Sequence, residues 1–210
     1  MHFLITAGPT REPIDPVRYL SNRSSGKMGY ALAEAALNAG HEVTLISGPV
    51  SLSTPEKATV RQVETAQEMF DAVKASIEKA DVAIFCAAVA DYRVAEQARE
   101  KIKKSSDTLT LELVKNPDIL GSARGEFGFD GFLVGFAAET NNVEEHAKEK
   151  LERKGCDLLV ANDVSRSDIG FDHPENEVIA FHRNGEKIPL PRALKSEIAR
   201  ELIRLIENWA

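Results

Sequence analysis

Short apolar runs alternate with longer segments of mixed polarity along most of this chain. Eight runs have the length and composition of strands, and several are apolar throughout, as expected for strands covered on both faces of a sheet. They span residues 3–6, 42–47, 60–63, 82–87, 108–114, 132–137, 158–162 and 178–182. The pattern therefore predicts a sheet that is largely buried.

Helical periodicity fills most of the intervals between these runs. It predicts helices over residues 30–39, 66–79, 143–154 and 193–209, two of which are followed by a glycine, a common helix stop (Gly40 and Gly155). Strands that alternate with helices indicate an α/β fold with a doubly wound, mostly parallel, Rossmann-like sheet. Residues 1–210 contain no internal repeat and no linker, so we expect a single domain. Only segment 95–106, which is charged and rich in small residues, interrupts the pattern.

Composition and charge exclude several classes of protein. The formal net charge of -7 argues against a nucleic-acid partner, and no apolar run approaches the roughly 20 residues that span a bilayer. Because the first strand starts by residue 2 or 3, we expect no secretory leader. The two cysteines, Cys86 and Cys156, are far apart in sequence, which fits a reducing compartment better than a disulfide framework. We therefore expect a cytoplasmic protein that neither binds nucleic acid nor enters a membrane.

Polar and small residues follow several of the predicted strands. They are Thr6-Ala7-Gly8, the run from Ala87 to Arg93, Ala137-Ala138-Glu139-Thr140 and Asn162-Asp163. In open parallel sheets ligands bind outside the carboxyl ends of the strands. We therefore expect one binding site along this edge of the sheet.

The segment before the first helix has the composition of a phosphate site. The helix opens with Ser24-Ser25-Gly26-Lys27-Met28-Gly29, and the N–H groups at a helix start, with the helix dipole, attract anions. A Walker motif is not present, because Ser21 and Met28 stand where that motif requires a glycine and a hydroxyl. A dinucleotide fingerprint is also disfavoured, because Gly8 and Gly26 are far apart and the second strand ends without an acid.

A series of longer motifs points to one family. The run ITAGPTREPIDPVRYLSNRSSGKMGYALAEAA is followed in order by VTLISGPVSL, CAAVADYR, EKIKK, LVKNPDIL, VGFAAETNN and VANDVS. From about residue 3 to the final helix, the chain closely resembles phosphopantothenoylcysteine synthetase (phosphopantothenate–cysteine ligase). In many bacteria this enzyme is half of a bifunctional coenzyme A biosynthetic protein. The flavin-dependent decarboxylase half is absent here, so the sequence is either a free-standing ligase or one domain of a longer protein.

The resemblance implies a two-step amide synthesis. The carboxylate of 4'-phosphopantothenate attacks the α-phosphate of CTP to form an acyl-cytidylate, and the amine of L-cysteine then displaces CMP. It also implies Mg²⁺ on the triphosphate and a homodimer with the site near the interface, and it makes a separate decarboxylase a candidate partner. The histidines are scattered without ligand-like spacing, so we predict no metal bound by protein residues alone.

The same resemblance implies roles for individual residues. Asn22 and Lys101, the first lysine of Lys101-Ile102-Lys103-Lys104 in a segment like the family's flexible lid, are the predicted catalytic residues. Arg18 and Ala88 are predicted to contact the acid substrate. The predicted nucleotide contacts are Ser24, Ser25, Gly26, Phe85, Cys86, Ala87, Asp91, Lys101, Pro117, Asp118, Ile119, Leu120, Phe136, Lys150 and Lys154.

Simpler interpretations exist for several of these residues. Asn22 is also typical of a turn, the lysine cluster of a solvated charge run, Phe136 of core packing, and Lys150 with Lys154 of a salt-bridged helix surface. The thiol of Cys86 is interpreted as a small buried group, because no basic partner is evident that would activate it as a nucleophile.

Three other functions compete with the CTP-dependent ligase. One is a ligase of the same fold that uses another nucleotide such as ATP, and another is an NAD(P)-dependent reductase, disfavoured by Ser47 where an acid is expected. The third is a nucleotide sensor without activity, for which Asn22, Lys101 and Arg18 would be unnecessary.

Overall fold

An eight-stranded sheet organises the molecule. The computed structural model describes residues 1–104, 107–139, 141–163 and 173–210. The elements in chain order are β1 (His2–Ala7), β2 (Arg11–Pro13), β3 (Tyr19–Ser21), α1 (Lys27–Asn38), β4 (Glu42–Ser47), β5 (Thr59–Gln62), α2 (Ala66–Lys74), β6 (Val82–Phe85), β7 (Tyr92–Val94), β8 (Leu113–Lys115), α3 (Ile119–Gly125), β9 (Phe132–Glu139), α4 (Val143–Lys154), β10 (Leu158–Asp163), β11 (Glu175–His182), β12 (Lys187–Leu194) and α5 (Lys195–Trp209).

The strand order of the large sheet is β12-β11-β10-β9-β6-β1-β4-β5. The six strands from β10 to β5 are parallel, and β11 and β12 extend the sheet as antiparallel strands. Helices cover both faces. The predicted α/β fold with a doubly wound, mostly parallel sheet is therefore confirmed.

Each face of the sheet has its own apolar core. Along β1, Phe3 and Ile5 contribute to one core and Leu4 to the other, because successive side chains of a strand point to opposite faces. Helices α1 and α5 pack on the first face, and α2, α3 and α4 pack on the second. This double coverage explains the continuous apolar runs in the sequence.

Two small hairpins lie outside the large sheet. Strands β2 and β3 pair antiparallel, as do β7 and β8, and the two hairpins contact each other. Both follow the carboxyl end of a parallel strand, β1 and β6 respectively, so they stand at the edge where the sequence predicts a site.

Several element predictions were wrong in detail. Of the predicted strand 108–114, only the end forms a strand, Leu113–Lys115, because residues 107–110 are exposed and belong to no sheet of the described structure. The last helix begins at Lys195, since Ala193 pairs with Asn176 in the sheet. The predicted helix 66–79 divides into α2 and the 3₁₀ turn Ile77–Lys79, and α3 was not predicted.

None of the helices in the described ranges combines the length and the apolar composition that a bilayer crossing requires.

Candidate functional site

A cavity of about 810 Å³ opens at the carboxyl ends of the central parallel strands. Its walls come from the loops after β1 and β6, from the carboxyl-terminal part of β9, from the N-termini of α1 and α3, and from one side of α4. Fifteen of the residues predicted from the sequence line it: Asn22, Ser24, Gly26, Phe85, Cys86, Ala87, Ala88, Asp91, Pro117, Asp118, Ile119, Leu120, Phe136, Lys150 and Lys154. The strand-end reasoning therefore located this cavity correctly.

The N-terminus of α1 forms one wall. Gly26 precedes the helix with a φ of 76°, in the left-handed region that glycine adopts without strain, and Gly29 packs so closely on β1 that a Cβ there would lie 2.5 Å from the Cβ of Ala7. The N-cap residue is Gly26 itself, which has no side chain to accept from the first N–H groups of the helix. This end of the helix lines the cavity together with Lys27, and its dipole and the lysine charge both favour an anion there.

Asn22 is held at the end of β6. Its side-chain Nδ2 donates to the carbonyl oxygens of Ala88 at 3.2 Å and Val89 at 2.9 Å. The same loop is fixed to β1, because the N–H of Ala88 donates to Gly8 and that of Ala90 donates to the hydroxyl of Thr10. Asn22 therefore occupies a defined position between the two loops that form the mouth of the cavity.

Lysines of α4 form the opposite wall. The ammonium of Lys150 donates to the carbonyl oxygen of Phe136 at 3.2 Å, and Lys154 forms an ion pair with Asp118, the N-cap of α3. Burial alone would raise the pKa of Asp118, but the hydrogen bond and the charge of Lys154 outweigh it and hold that pKa below its usual range. This wall of the cavity therefore contains the fixed carboxylate of Asp118 and the ammonium groups of Lys150 and Lys154.

Three predicted residues lie outside the cavity lining. Arg18 pairs with Asp15 and donates to the carbonyl oxygen of Ile102 at 3.0 Å. Lys101 is exposed on the loop beside Ile102, and Ser25 precedes α1 without lining the cavity. Any direct role of Arg18 or Lys101 in chemistry therefore requires a movement of their side chains or the arrival of the substrate.

Three polar residues line the floor of the cavity, and two of them, Asn176 and Lys195, were not predicted, whereas Asn162 follows from the strand-end pattern. Asn162 at the end of β10, Asn176 in β11 and Lys195 at the start of α5 line the cavity, and they are only 9%, 4% and 6% exposed. Within the described structure, the side-chain oxygens of both asparagines accept no hydrogen bond. Asn162 belongs to the quoted motif VANDVS, but only the antiparallel extension of the sheet brings the other two residues to it.

Both thiols have a raised pKa, as expected of unreactive groups, although Cys156 is buried and Cys86 only half-buried. Burial raises the pKa of Cys86 to about 12, against a smaller opposing effect of the charge of Lys195, and burial raises that of Cys156 to about 12. Among the described residues, no group of three or more His, Cys, Asp or Glu side chains is arranged to hold a metal ion.

Comparison with known proteins gives a consistent assignment. The family model described as the DNA/pantothenate metabolism flavoprotein C-terminal domain matches residues 1–209. The chain is 53% identical over 207 residues to the coenzyme A biosynthesis bifunctional protein CoaBC of Vibrio vulnificus strain YJ016, covering 98% of this chain and 51% of that protein. It is 53% identical over 196 residues to CoaBC of Escherichia coli K12, covering 91% of this chain and 48% of that protein. The chain thus spans about half the length of these relatives.

A solved structure has the same fold. The crystal structure of the C-terminal domain of a CoaBC protein superposes with a TM-score of 0.83 at 46% identity, covering 99% of this chain and 94% of that one. The match includes every element around the cavity, because it extends over almost the whole of both chains.

Proposed function

The chain belongs to the DNA/pantothenate metabolism flavoprotein C-terminal domain family, the phosphopantothenoylcysteine synthetase part of CoaBC, and we propose that it joins 4'-phosphopantothenate to L-cysteine at the expense of CTP. The products are 4'-phospho-N-pantothenoylcysteine, CMP and pyrophosphate. The relatives are coenzyme A biosynthetic proteins, which favours a ligase over the reductase and the sensor considered above.

One observation carries the proposal. The N-terminus of α1, the anchored amide of Asn22 and the ammonium groups of Lys150 and Lys154 surround a single cavity. These groups suit two anionic substrates, a nucleoside triphosphate and a phosphorylated acid, better than one neutral ligand. Ligation requires that the carboxylate of the acid and the α-phosphate of the nucleotide meet in one place.

In the first step the carboxylate of phosphopantothenate attacks the α-phosphate of CTP and pyrophosphate leaves. We assign the phosphates to the N–H groups that follow Gly26, and the base to Phe136 and the backbone of Phe85, Cys86 and Ala87. Positive charge from the lysines offsets the charge that the leaving pyrophosphate acquires.

In the second step the amine of cysteine attacks the acyl carbon of the cytidylate and CMP leaves. We expect the side-chain amide of Asn22, which donates to the carbonyl oxygen of Val89, to donate to the acyl oxygen of the substrate instead and so to stabilise its negative charge. Lys101 would approach the phosphates and help to exclude water from the anhydride.

Two of the three residues at the floor, Asn162 and Asn176, fit a magnesium ion that accompanies the triphosphate, whereas the ammonium of Lys195 suits the phosphates themselves. The unpartnered oxygens of Asn162 and Asn176 are neutral oxygen ligands, a type that Mg²⁺ accepts together with phosphate oxygens. Asn162 and Asn176 are the residues that would hold the ion, and the chemistry it would supply is positive charge that offsets the charge of the phosphates.

We also propose that the chain forms a homodimer through the two small hairpins. Apolar side chains there are 44–60% exposed, namely Val17, Tyr19, Tyr92, Leu109 and Leu113. Because the hairpins lie beside Asn22 and Asp91, this interface would place the site close to the partner. Light scattering of the purified chain tests the stoichiometry, and a monomer at micromolar concentration would exclude this interface. We further expect the decarboxylase to be a separate segment or protein.

Pyrophosphate release with phosphopantothenate and CTP, measured with and without cysteine, tests the proposed function. We expect release without cysteine to be limited to about one equivalent per site, since the cytidylate stays bound, and to become continuous when cysteine is added. ATP, GTP and UTP serve as matched controls for the nucleotide. No release with CTP under either condition would refute the proposal, and equal rates with ATP would refute the specificity.

A further inference from the structure

The carboxylate of Asp15 lies buried between the connection of β2 with β3 and the segment that carries Lys101 and Ile102. Its side chain has no exposed surface, although the neighbouring Val17 is 60% exposed. The Oδ1 atom accepts hydrogen bonds from the N–H groups of Val17 and Arg18, both at 2.9 Å. These two bonds form an ordinary Asx turn and would be sufficient to shape the loop.

The second oxygen of Asp15 binds outside that turn. Its Oδ2 accepts from Nε of Arg18 at 3.0 Å, from Nη2 of the same guanidinium, and from the N–H of Ile102 at 3.1 Å. The Nη2 atom of Arg18 also donates to the carbonyl oxygen of Ile102 at 3.0 Å. The backbone of Ile102 is therefore held on both sides, and we call the group Asp15, Arg18 and Ile102 the clasp.

The clasp connects the two predicted catalytic residues. Ile102 is the neighbour of Lys101, and the N–H of Ala98 donates to Ile14 at 3.0 Å, so the segment is attached to the same loop twice. In the other direction, this loop continues through β3 to Asn22, and the hydroxyl of Ser21 donates to Thr10 at 2.7 Å. Asn22 in turn is bound to Val89 at the cavity.

We propose that Asp15 is a positioning residue that fixes Lys101 relative to the cavity by holding the backbone of Ile102. This inference rests on the proposed function for the role of Lys101, but the clasp itself does not. Arg18 supplies the charge that keeps the carboxylate ionised and satisfied while it is buried, since a buried charge is stable only when paired and hydrogen-bonded.

Two substitutions separate the clasp from the turn. Asp15→Asn keeps the shape but replaces one acceptor oxygen by a donor. Asp15→Ser keeps a hydroxyl that can accept from Val17 and Arg18 while it removes Oδ2, so it provides the test if the first variant does not fold. Glu12→Gln is the matched control, because Glu12 is a buried carboxylate of the same β2–β3 hairpin that accepts from the N–H of Ala66 instead of that of Ile102.

A double-mutant cycle measures the link to Lys101. We expect Asp15→Ser and Lys101→Gln each to lower kcat by about 10- to 100-fold, and the double variant to be no slower than the slower single variant. The half-saturating concentration of CTP should change by less than about threefold in Asp15→Ser. Losses that multiply in the double variant would show that Asp15 acts independently of Lys101 and would overturn the inference. In the control cycle, the factors by which Glu12→Gln and Lys101→Gln lower kcat should multiply in the double variant.

Limited trypsin digestion tests the clasp without any activity. We expect cleavage of the Lys101–Ile102 bond to be about tenfold faster in Asp15→Ser than in wild type, with Glu12→Gln unchanged. An equal rate in Asp15→Ser and wild type would refute the clasp. If pyrophosphate release fails in wild type while this difference is present, the proposed function fails and the clasp stands.

Discussion

Gly29 gives the strictest test of the geometry at the phosphate wall. It lies in the first turns of α1, where a Cβ would be 2.5 Å from the Cβ of Ala7, 3.1 Å from its Cα and 3.2 Å from the carbonyl oxygen of Thr6. Nonbonded carbon atoms are normally about 3.5–4.0 Å apart, so Gly29→Ala would force α1 to move by about 1 Å from the end of β1. That end of the helix forms the wall of the cavity to which we assign the phosphates.

The expected magnitude follows from two opposing effects. Replacing a helical glycine by alanine stabilises a helix by about 1 kcal/mol, whereas overpacking a core costs about 1–3 kcal/mol. The contact at 2.5 Å involves two Cβ atoms that have no rotamer to adjust, so we expect the upper part of that range and a net loss of about 1–2 kcal/mol. For a chain of this length the loss corresponds to a decrease in Tm of about 3–6 °C.

Thermal unfolding and the CTP dependence of pyrophosphate release provide the measurements. Gly125→Ala is the matched control, since Gly125 is also helical and a Cβ there would meet nothing within 4 Å. This variant should be as stable as wild type or slightly more so. Adding Ala7→Gly to Gly29→Ala should recover part of the lost stability because it removes the nearest contact. If Gly29→Ala matches Gly125→Ala in Tm and binds CTP like wild type, the close approach of α1 to β1 is wrong.

Three further predictions concern the cavity. Asn22→Asp should lower kcat by about 10²–10³-fold with little change in Tm, because a donor becomes a repelling charge; unaltered amide synthesis would remove Asn22 from the mechanism. Iodoacetamide at pH 8 should modify native Cys86 about 10³-fold more slowly than the unfolded chain, because a pKa of about 12 instead of 9.0 leaves about 10³-fold less thiolate. Fast labelling of the folded protein would contradict this. Lys195→Met should raise the half-saturating concentration of an anionic substrate by about tenfold, whereas the exposed Lys187→Met should not, and equal behaviour of both variants would exclude a binding role for the buried ammonium.

The fold was predictable where burial is two-sided. Strand β4 was predicted with its exact bounds and β1, β6, β9 and β10 within one or two residues, because each is buried on both faces by its helices. Alternation of apolar and polar residues was misleading in segment 108–114, since an alternating segment forms a strand only where a neighbouring strand pairs with it. The beginning of α5 depended on tertiary pairing in the same way, because β12 needs residues up to Leu194 to pair with β11.

The candidate site was predictable as far as the chain order reveals it. Residues directly after a strand, such as Ala87 or Asn22 in the long loop after β1, are identified by their place in the sequence and by the motifs around them. Asn176 and Lys195 carry no such signal, because they enter the cavity only through two antiparallel strands at the edge of the sheet. The position of Arg18 could not be predicted either. It pairs with Asp15, three residues away, but its second partner is the carbonyl oxygen of Ile102, 84 residues away.

The location of the cavity follows from the way in which the chain leaves β1 and β6. From β1 the chain crosses through α1 on one face to reach β4, and from β6 it crosses through α3 on the other face to reach β9. The two connections diverge from neighbouring strands in opposite directions, so a crevice must open between them at the carboxyl edge of the sheet. Gly26 of the first connection and Asp118 of the second line opposite walls of this crevice. An elongated ligand in this crevice would therefore contact both connections, one from each face of the sheet. Such a position suits the end-to-end joining of two anionic substrates that we propose.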